Sequence, residues 1–351
     1  MSDVKTEFFT LLNSLSPALF PQHSQVVNYM HSEGKILRLC LPFVCNSLFS
    51  VDSASKQAID NFAKKHSIDL KIEYDIPSIK GQNPKVVKNI IAVSSGKGGV
   101  GKSTTAVNLA AALSLEGARV GILDGDVHGP SLPTLLGTKN TQPESTDNKH
   151  ISPIVTNNLQ SMSIGYMVDD DSATIWRGPM AGKVFQQLYN ETQWQELDYL
   201  IIDMPPGTGD IQLTLAQSLP VTAAVIVTTP QDLALADAIK GIAMFNDVNI
   251  PVLGIVENMS YHICSECGHK EYLFGADGGQ RIADKYATQL LAQLPLTMQI
   301  REMADSGGQL MFNDEADGDI KQVYRQLAQS LSHRISLLEA STQQIGTYTV
   351  A

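Results

Sequence analysis

The chain has 351 residues, of which 43% are hydrophobic and 17% charged, a balance that indicates a sizeable buried core and excludes disorder throughout. Its formal net charge of -11 at pH 7 opposes diffuse attraction to nucleic acid or to an anionic membrane. The length accommodates one large domain with a smaller companion.

The amino terminus predicts no targeting segment. Residues 1–10 include Asp3 and Glu7 and lack an apolar signal core, and no apolar run approaches the roughly 20 residues that span a bilayer. We therefore expect a cytoplasmic protein that binds neither a membrane nor nucleic acid. Four cysteines in a chain of this length do not indicate a disulfide framework. In a reducing compartment, a close pair of cysteines favours metal or redox chemistry.

The first 76 residues predict a small α+β domain, because apolar residues at helical spacing alternate with strand-like segments. The predicted helices cover 7–19 and 53–66, and the predicted strands cover 35–41 and 69–74. Residues 77–88 follow, where Pro77, Gly81 and Pro84 among polar residues are typical of a linker.

The segment 89–340 predicts a second domain with a different pattern. Near-continuous apolar strands alternate with helices, as in a mostly parallel, doubly wound α/β sheet covered on both faces. The strands are predicted at 89–93, 119–123, 199–202, 222–228 and 252–256, with helices at 103–115 and 233–245. An apolar stripe over 320–338 predicts a closing helix that packs on the core, with a membrane-binding face as the alternative. Residues 341–351 are predicted to be a loose tail.

A glycine-rich loop lies between the first of these strands and the first of these helices, which is the context that a phosphate-binding P-loop requires. Glycine lets the backbone curl so that its N–H groups face phosphate oxygens, and the following helix adds its positive dipole end. We expect Lys102 to contact the β- and γ-phosphates of ATP, and the Ser103 hydroxyl to coordinate Mg²⁺. The predicted ATP-binding residues of this loop are Gly96, Lys97, Gly98, Gly99, Val100, Gly101, Lys102, Ser103 and Thr104.

Two aspartates stand where a hydrolytic site would be completed. Asp126 and Asp203 each follow the carboxyl end of a predicted strand, where ligands of open α/β sheets bind. Asp203 is predicted to hold Mg²⁺ through water and Asp126 to position the attacking water, with a structural cap as the alternative for each. Gly207 and Gly209 are predicted to let the second segment move when the γ-phosphate is lost. The predicted reaction is hydrolysis of ATP to ADP and phosphate, slow until a partner completes the site.

Lys97 departs from the general P-loop motif, which does not require a lysine directly after the first glycine. It resembles the second lysine of the deviant P-loop ATPases that include ParA, MinD and the nitrogenase iron protein. The resemblance implies that Lys97 reaches across a homodimer to the partner's nucleotide, so that ATP binding and face-to-face dimerisation are one event. The alternative is a solvated loop lysine. The predicted catalytic residues are thus Lys97, Lys102, Asp126 and Asp203.

Cys264 and Cys267 follow the last predicted strand of the sheet and predict a second site. Two thiolates at this spacing bind one metal centre from a tight loop, but they are only half of a tetrahedral thiolate set. His262 and His269 flank the pair and offer a structural zinc site within one chain, and a redox dithiol or two inert thiols are further alternatives. Two chains facing one another would bring four thiolates together, the ligand set of a [4Fe–4S] cluster.

Together these motifs resemble the Mrp/ApbC family of iron–sulfur cluster carrier ATPases over residues 89–295. The matching segments, in family order, are 94–104, 124–126 with 129–131, 176–179, 203–210, and 256–260 leading into Cys264 and Cys267. The resemblance implies a homodimer that holds a labile cluster between its subunits, with a cluster-assembly scaffold and recipient apo iron–sulfur proteins as partners. It also implies that Asn258 recognises the adenine base. The residues of segment 176–179 indicate no chemistry by themselves.

The small first domain resembles the MIP18-like domain that is often fused in front of these ATPases. Its segment 41–45 lies where that domain carries its own cysteine, but the usual acidic Asp-Pro-Glu element is absent, so the likeness is degenerate. Cys40 alternates with apolar neighbours and is expected to be buried, whereas Cys45 follows Pro42 in a predicted loop and stays open as a further ligand.

Two other functions stay open at the level of sequence. One is a positioning ATPase similar to ParA or MinD, which needs contact with DNA or a membrane rather than a metal. The other is an ATP-dependent reductase similar to the nitrogenase iron protein. In either case the cysteine pair would bind structural zinc.

Overall fold

The structure is a computed structural model of the chain, and it describes residues 2–22, 25–50, 53–79, 86–127, 129–145, 147, 149–168 and 178–345. A small sheet near the amino terminus and a large sheet in the rest of the chain organise the described residues. The predicted linker 77–88 is described only at its two ends, and the large sheet already begins at Val87.

The small domain has a three-stranded sheet at its centre. Its helices are α1 (Ser2–Leu15), α2 (Asn46–Phe49) and α3 (Ala54–His66), and its strands are β1 (Met30–Glu33), β2 (Ile36–Leu41) and β3 (Asp69–Tyr74). β2 pairs antiparallel with β1 and parallel with β3. Phe8 and Leu12 of α1 pack with Leu39 of β2 and Phe62 of α3 in the core of this domain.

Sequence reasoning places most of these elements close to their true bounds. α3 begins where predicted because Ser53 is its N-cap, and the Ser53 side chain accepts a hydrogen bond from the N–H of Lys56. The helix predicted over 7–19 is wrong at both ends, since α1 starts at Ser2 and ends at Leu15. β1 and α2 are short and have no counterpart in the prediction.

The large domain alternates strands and helices. Its strands are β4 (Val87–Ser94), β5 (Val120–Asp124), β6 (Ile154–Thr156), β7 (Leu159–Met162), β8 (Leu197–Asp203), β9 (Ala223–Thr228), β10 (Val252–Ile263), β11 (Lys270–Glu271) and β12 (Leu290–Pro295). Its helices are α4 (Lys102–Leu115), α5 (Leu132–Leu135), α6 (Gly178–Glu191), α7 (Asp210–Ser218), α8 (Asp232–Asp247), α9 (Gly278–Lys285), α10 (Met298–Ser306) and α11 (Gly318–Ile345).

The strand order of the large sheet is β11-β10-β9-β4-β8-β5-β7-β6, and β12 pairs with β10. All pairs between β12, β10, β9, β4, β8, β5 and β7 are parallel. β6 pairs antiparallel with β7, and β11 pairs antiparallel with β10. Leu109 of α4 and Leu331 of α11 are buried on one face; Phe185 of α6, Leu215 of α7 and Phe245 of α8 are buried on the other. The mostly parallel, doubly wound α/β sheet is confirmed.

α11 closes the core, as its apolar stripe predicts. The residues of that stripe that are buried are Ile320, Tyr324, Leu327, Leu331 and Ile335. Within the described part of the chain, no helix is both long and apolar enough to cross a membrane. The loose tail predicted to begin at residue 341 is wrong at its start, because α11 continues through Ile345. Residues 346–351 lie outside the described residues.

The small domain packs on the end of α4 that is opposite the P-loop. The buried Glu116 carboxylate follows α4, and its Oε2 accepts hydrogen bonds from the Ser47 N–H (2.9 Å), the Ser47 hydroxyl (3.1 Å) and the Gln329 amide (2.9 Å). The N–H of Val44 donates to the Ser332 hydroxyl at 2.9 Å. Glu116 thus joins the small domain, α4 and α11 at one buried point.

Replacing Glu116→Ala should destabilise the protein by about 3 kcal/mol, because the part-buried Ser47 N–H and Gln329 amide lose the buried carboxylate that accepts their hydrogen bonds. Urea unfolding, followed by circular dichroism, measures this cost. Glu302→Ala is the matched control: Glu302 is exposed and pairs with the exposed Arg301, so its removal should cost less than about 0.5 kcal/mol. Equal costs for the two variants would contradict the assigned role of Glu116.

Candidate functional site

The glycine-rich loop curls between the end of β4 and the start of α4. Gly99 (φ 80°) and Gly101 (φ 79°) adopt the left-handed conformation that side chains disfavour. A Cβ on Gly96 would lie 2.2 Å from the backbone of Asp237 in α8. Glycine at these positions therefore shapes the loop and lets it pack against α8. The N–H groups in the first turn of a helix have no partner within the helix, so those of α4 can donate to phosphate.

Lys102 and Asp203 form a buried ion pair in this loop. The Lys102 ammonium binds Asp203 Oδ1 and lies 3.3 Å from the Ser103 hydroxyl. Lys102 is 7% exposed and Asp203 is fully buried. Burial raises the pKa of the Asp203 carboxyl, against the opposing effect of the Lys102 ammonium. The structure thus brings together the predicted phosphate-binding lysine, the hydroxyl of Ser103 and the carboxylate that is predicted to hold Mg²⁺ through water.

The second oxygen of Asp203 makes this group suitable for a hydrated divalent cation. Asp203 Oδ2 is buried and has no hydrogen-bond partner among the described residues. A buried carboxylate oxygen without a partner is costly unless a ligand or water fills the gap. Carboxylate and hydroxyl oxygens are the donors that Mg²⁺ prefers, so Asp203 and Ser103 fit the ion that the sequence predicts.

Asp124 organises the second acidic segment, a role that sequence reasoning missed. Its carboxylate is buried and accepts hydrogen bonds from four groups: the N–H groups of Asp126 (3.1 Å), Ser131 (3.0 Å) and Leu132 (3.3 Å), and the Ser163 hydroxyl (3.0 Å). Burial, and next the charge of Asp203, raise the pKa of Asp124 to about 7. The sequence signal was available, since Asp124 is the last residue of a buried strand.

Asp126 is half-buried at the same edge of the sheet. Its Oδ1 accepts a hydrogen bond from the N–H of Gly129 at 3.3 Å, the capping contact that the sequence allowed as an alternative. The charge of Asp126 acts on Asp203, so the two carboxylates are neighbours. The role of Asp126 in positioning water stays a prediction.

The segment after Asp203 lies against the P-loop. The N–H of Met204 donates to Val93 O at 3.0 Å, and the N–H of Gly207 donates to Ser95 O at 2.9 Å. Gly207 has a left-handed φ of 105°, whereas Gly209 is extended. Two backbone hydrogen bonds therefore hold this segment in place, and its predicted movement stays a prediction.

Lys97 lies within the P-loop, and Asn258 contacts the loop from β10. Lys97 is half-buried, and among the described residues its ammonium forms no ion pair. Asn258 of β10 is 8% exposed, and its amide donates to Val100 O at 2.8 Å. The structure brings Asn258 to the loop from a distant strand. Its predicted contact with adenine stays a prediction.

The cysteine pair occupies the turn between β10 and β11, which we call the cysteine hairpin (residues 261–272). The N–H of Cys264 donates to His269 O at 3.0 Å, and the N–H of Gly268 donates to Cys264 O at 2.9 Å. Cys264 is half-buried and Cys267 is exposed. The backbone N–H groups of Cys267 and then Glu266 lower the pKa of the Cys264 thiol. Because metals bind thiolates, this turn favours the ligand form.

The alternative ligands lie elsewhere. His262 Nδ1 is 3.1 Å from Leu296 O, so the Nδ1 edge of the ring is turned toward the backbone. Among the described residues, no three His, Cys, Asp or Glu side chains converge to hold a metal ion. Cys45 is fully buried in the small domain. That domain contacts the carboxyl end of α4, and the length of this helix places the contact about 20 Å from the P-loop. Among the described residues, one chain therefore offers the two thiols of Cys264 and Cys267 at this turn. Trp176 and Arg177 lie outside the described residues.

Comparisons with known proteins agree with this geometry. A family model described as a NUBPL iron-transfer P-loop NTPase, of the ParA type, matches residues 86–332. An iron–sulfur cluster carrier protein of Salmonella typhimurium is 53% identical over 305 residues, which cover 85% of this chain and 82% of that protein. The iron–sulfur cluster transfer protein NUBPL of Mus musculus is 44% identical over 251 residues, covering 71% and 78%. The solved nucleotide-binding protein of Archaeoglobus fulgidus, in complex with ADP, matches with a TM-score of 0.58 and 38% identity, covering 66% of this chain and 90% of that one.

Two glycine variants test the packing of the P-loop. Gly99 and Gly101 share a left-handed φ, but a Cβ on Gly101 would lie 2.2 Å from the Asn258 amide nitrogen, whereas one on Gly99 meets open space. Gly99→Ala should cost about 1 kcal/mol of stability from backbone strain alone. Gly101→Ala should cost about 3 kcal/mol, because it also displaces Asn258 from Val100 O. Urea unfolding without nucleotide measures both, and equal costs would contradict the Asn258 contact.

Proposed function

The chain belongs to the ParA-type family of NUBPL iron-transfer P-loop NTPases, and we propose that it is an ATP-hydrolysing homodimer that carries an iron–sulfur cluster to apoproteins. The observation that carries this proposal is the position of the cysteine hairpin. Its exposed Cys267 and half-buried Cys264 follow β10, at the same edge of the sheet as the P-loop. A nucleotide and a metal cargo bound at one edge have the proximity that coupling requires.

The cargo is a [4Fe–4S] cluster held by two chains. Such a cluster takes four thiolates, and each hairpin offers Cys264 and Cys267. A twofold axis through the cluster presents identical pairs from both copies and completes the set. Exposed, solvent-reachable ligands suit a cluster that must be handed on. Its exchange partners are then a cluster-assembly scaffold and recipient apo iron–sulfur proteins.

The nucleotide site is built for ATP with Mg²⁺. Lys102 leaves Asp203 for the β- and γ-phosphates, and the backbone N–H groups of the P-loop surround the same oxygens. Ser103 would hold the Mg²⁺ ion directly and Asp203 would hold it through water, and the bound ion would neutralise phosphate charge. Asp126 orients the water that attacks the γ-phosphorus, and the bond to the ADP oxygen breaks as the new one forms. Lys97, without an ion pair among the described residues, reaches the nucleotide of the partner copy.

Hydrolysis in this scheme is slow in one chain alone, because the positive charge of Lys97 arrives only when two copies face each other. Asn258 sits beside the loop, where it also reaches the adenine base. The exposed thiols at the nucleotide edge favour cluster carriage over a positioning ATPase, which has no use for them. Electron delivery to an acceptor in step with ATP turnover would instead favour the reductase alternative.

Substitution of the hairpin cysteines should abolish cargo binding. After anaerobic reconstitution, the parent protein should contain about four iron and four sulfide per two chains, and Cys264→Ala or Cys267→Ala should lose both. Cys40→Ser is the matched control, since Cys40 lies in the small domain, and it should keep the parent content. Metal and sulfide analysis with native mass spectrometry measures the outcome. Stoichiometric zinc, or a full cluster in the cysteine variants, would refute the proposal.

The two P-loop lysines should separate binding from dimerisation. Lys102→Ala should lower ATP affinity by more than about 10-fold, because a phosphate partner is lost. Lys97→Ala should keep affinity within about 3-fold, but lose ATP-dependent dimerisation and at least about 10-fold in hydrolysis rate, as for a transition-state cation supplied by a partner. Calorimetry, light scattering and phosphate release measure the three quantities. ATP-dependent dimers of Lys97→Ala would show that this lysine does not act across the interface.

A further inference from the structure

β10 contacts both the P-loop and the cysteine hairpin. Asn258, within this strand, binds the loop, and Cys264 directly follows the last residue of the strand. We propose that Asn258 is a positioning residue that transmits the state of the P-loop through an irregular stretch of β10 to the cysteine hairpin. The inference rests on the proposed function for what the hairpin carries. It adds the route by which nucleotide acts on that cargo.

The irregular stretch is a β-bulge in β10. Glu257 pairs with Gln293 of β12, and the next pair is Tyr261 with Pro295. Four steps along β10 (261 - 257) therefore lie opposite two steps along β12 (295 - 293). Met259, in the middle of the bulge, has a left-handed φ of 54°, which is uncommon outside glycine. Bulges of this kind re-aim a side chain, and this one turns Asn258 toward the P-loop.

The contact between Asn258 and the loop is close and buried. The amide donates to Val100 O at 2.8 Å, and its nitrogen fills the space where a Cβ of Gly101 would lie. These two loop residues directly precede Lys102, the phosphate-binding lysine. A change in the loop when Lys102 exchanges Asp203 for phosphate thus alters the acceptor that holds Asn258.

Hydrogen bonds hold the backbone on both sides of the bulge, so a displacement of Asn258 passes along β10 instead of being lost in a loose loop. The buried Glu257 carboxylate accepts hydrogen bonds from the Ser260 hydroxyl (2.6 Å), the Gln293 amide (2.9 Å) and the N–H of Gly279 at the start of α9. At the other end, Tyr261 O accepts from the N–H of Leu296 at 2.7 Å. The left-handed backbone at Met259 thus connects Asn258 to Tyr261, at the start of the cysteine hairpin.

The bulge leads directly into the hairpin. The ring of Tyr261 holds the Lys270 ammonium 3.8 Å from its centroid, which ties the two strands of the hairpin together. Cys264 is three residues beyond Tyr261 and shares its turn with Gly268. A shift at Asn258 therefore changes the angle of the hairpin and the position of its two thiols. In a dimer that shares one cluster, such a change tightens or loosens the ligand set.

Hydrogen exchange of the intact, cluster-free chain tests this route. In the parent, a saturating non-hydrolysable ATP analogue should change the exchange of the amides of Cys264 and Gly268 by about 3-fold or more, since their opening is local. Because Asn258 also borders the proposed adenine site, the analogue concentration is raised until the P-loop amides of Asn258→Ala are as protected as those of the parent. At that occupancy the hairpin change should still be abolished. Asn258→Asp keeps the shape and loses the donor, so it should behave alike if the alanine variant folds poorly.

Gln280→Ala is the matched control, because Gln280 is exposed on α9 and bonds only locally to Asp284; it should respond as the parent does. A parent-like hairpin response in both Asn258 variants would overturn the inference, and so would the absence of a response in the parent. Iron and sulfide content, measured after anaerobic reconstitution of the same proteins, keeps the two ideas apart. If the parent binds the cluster but nucleotide does not change hydrogen exchange in the hairpin, only the coupling route is refuted. If nucleotide changes that exchange but the protein binds no cluster, the proposed role as a cluster carrier is refuted.

Discussion

The central strands of the large sheet run parallel, so their carboxyl ends lie along one edge. The positions of the P-loop, of the two acidic segments and of the cysteine hairpin all depend on that arrangement. β4 ends at Ser94 before the P-loop, β5 ends at Asp124, and β8 ends at Asp203. β10 extends past the same edge to Ile263 and the cysteine hairpin. The small domain packs at the far end of α4. The protein is thus polarised, with chemistry at one end of the sheet and a packing partner at the other.

Within that edge, the buried pair of Lys102 and Asp203 sets the electrostatic requirements. Moving each ion from water costs several kcal/mol, and only a well-placed opposite charge offsets this. The Ser103 hydroxyl and Asp203 Oδ2 can bind further ligands. In the proposed function, phosphate oxygens would take the place of the Asp203 carboxylate at Lys102, and Asp203 would hold a hydrated Mg²⁺ ion through water. Every buried charge then stays compensated through the exchange.

The small domain shows how a segment with a cysteine can serve packing instead of ligation. Val44 joins the core of the large domain and donates its N–H to Ser332. Cys45 is completely buried, and burial raises the pKa of its thiol. Burial in the small-domain core and a raised thiol pKa both oppose cluster binding. The segment is part of the contact between the two domains.

The sequence by itself determined the parallel sheet, the P-loop and the placement of Asp203 and the cysteine pair at one edge. Those features follow from local patterns and from the rule that parallel strands end together. Tertiary structure alone decided that Asn258 binds Val100 and that α11 continues through Ile345. For Asp124 the sequence marks the end of a buried strand, and only the fold brings Ser163 to its carboxylate. The Asn258 contact joins residues 158 positions apart and depends on a bulge in β10, and no local pattern records a change of register between two strands.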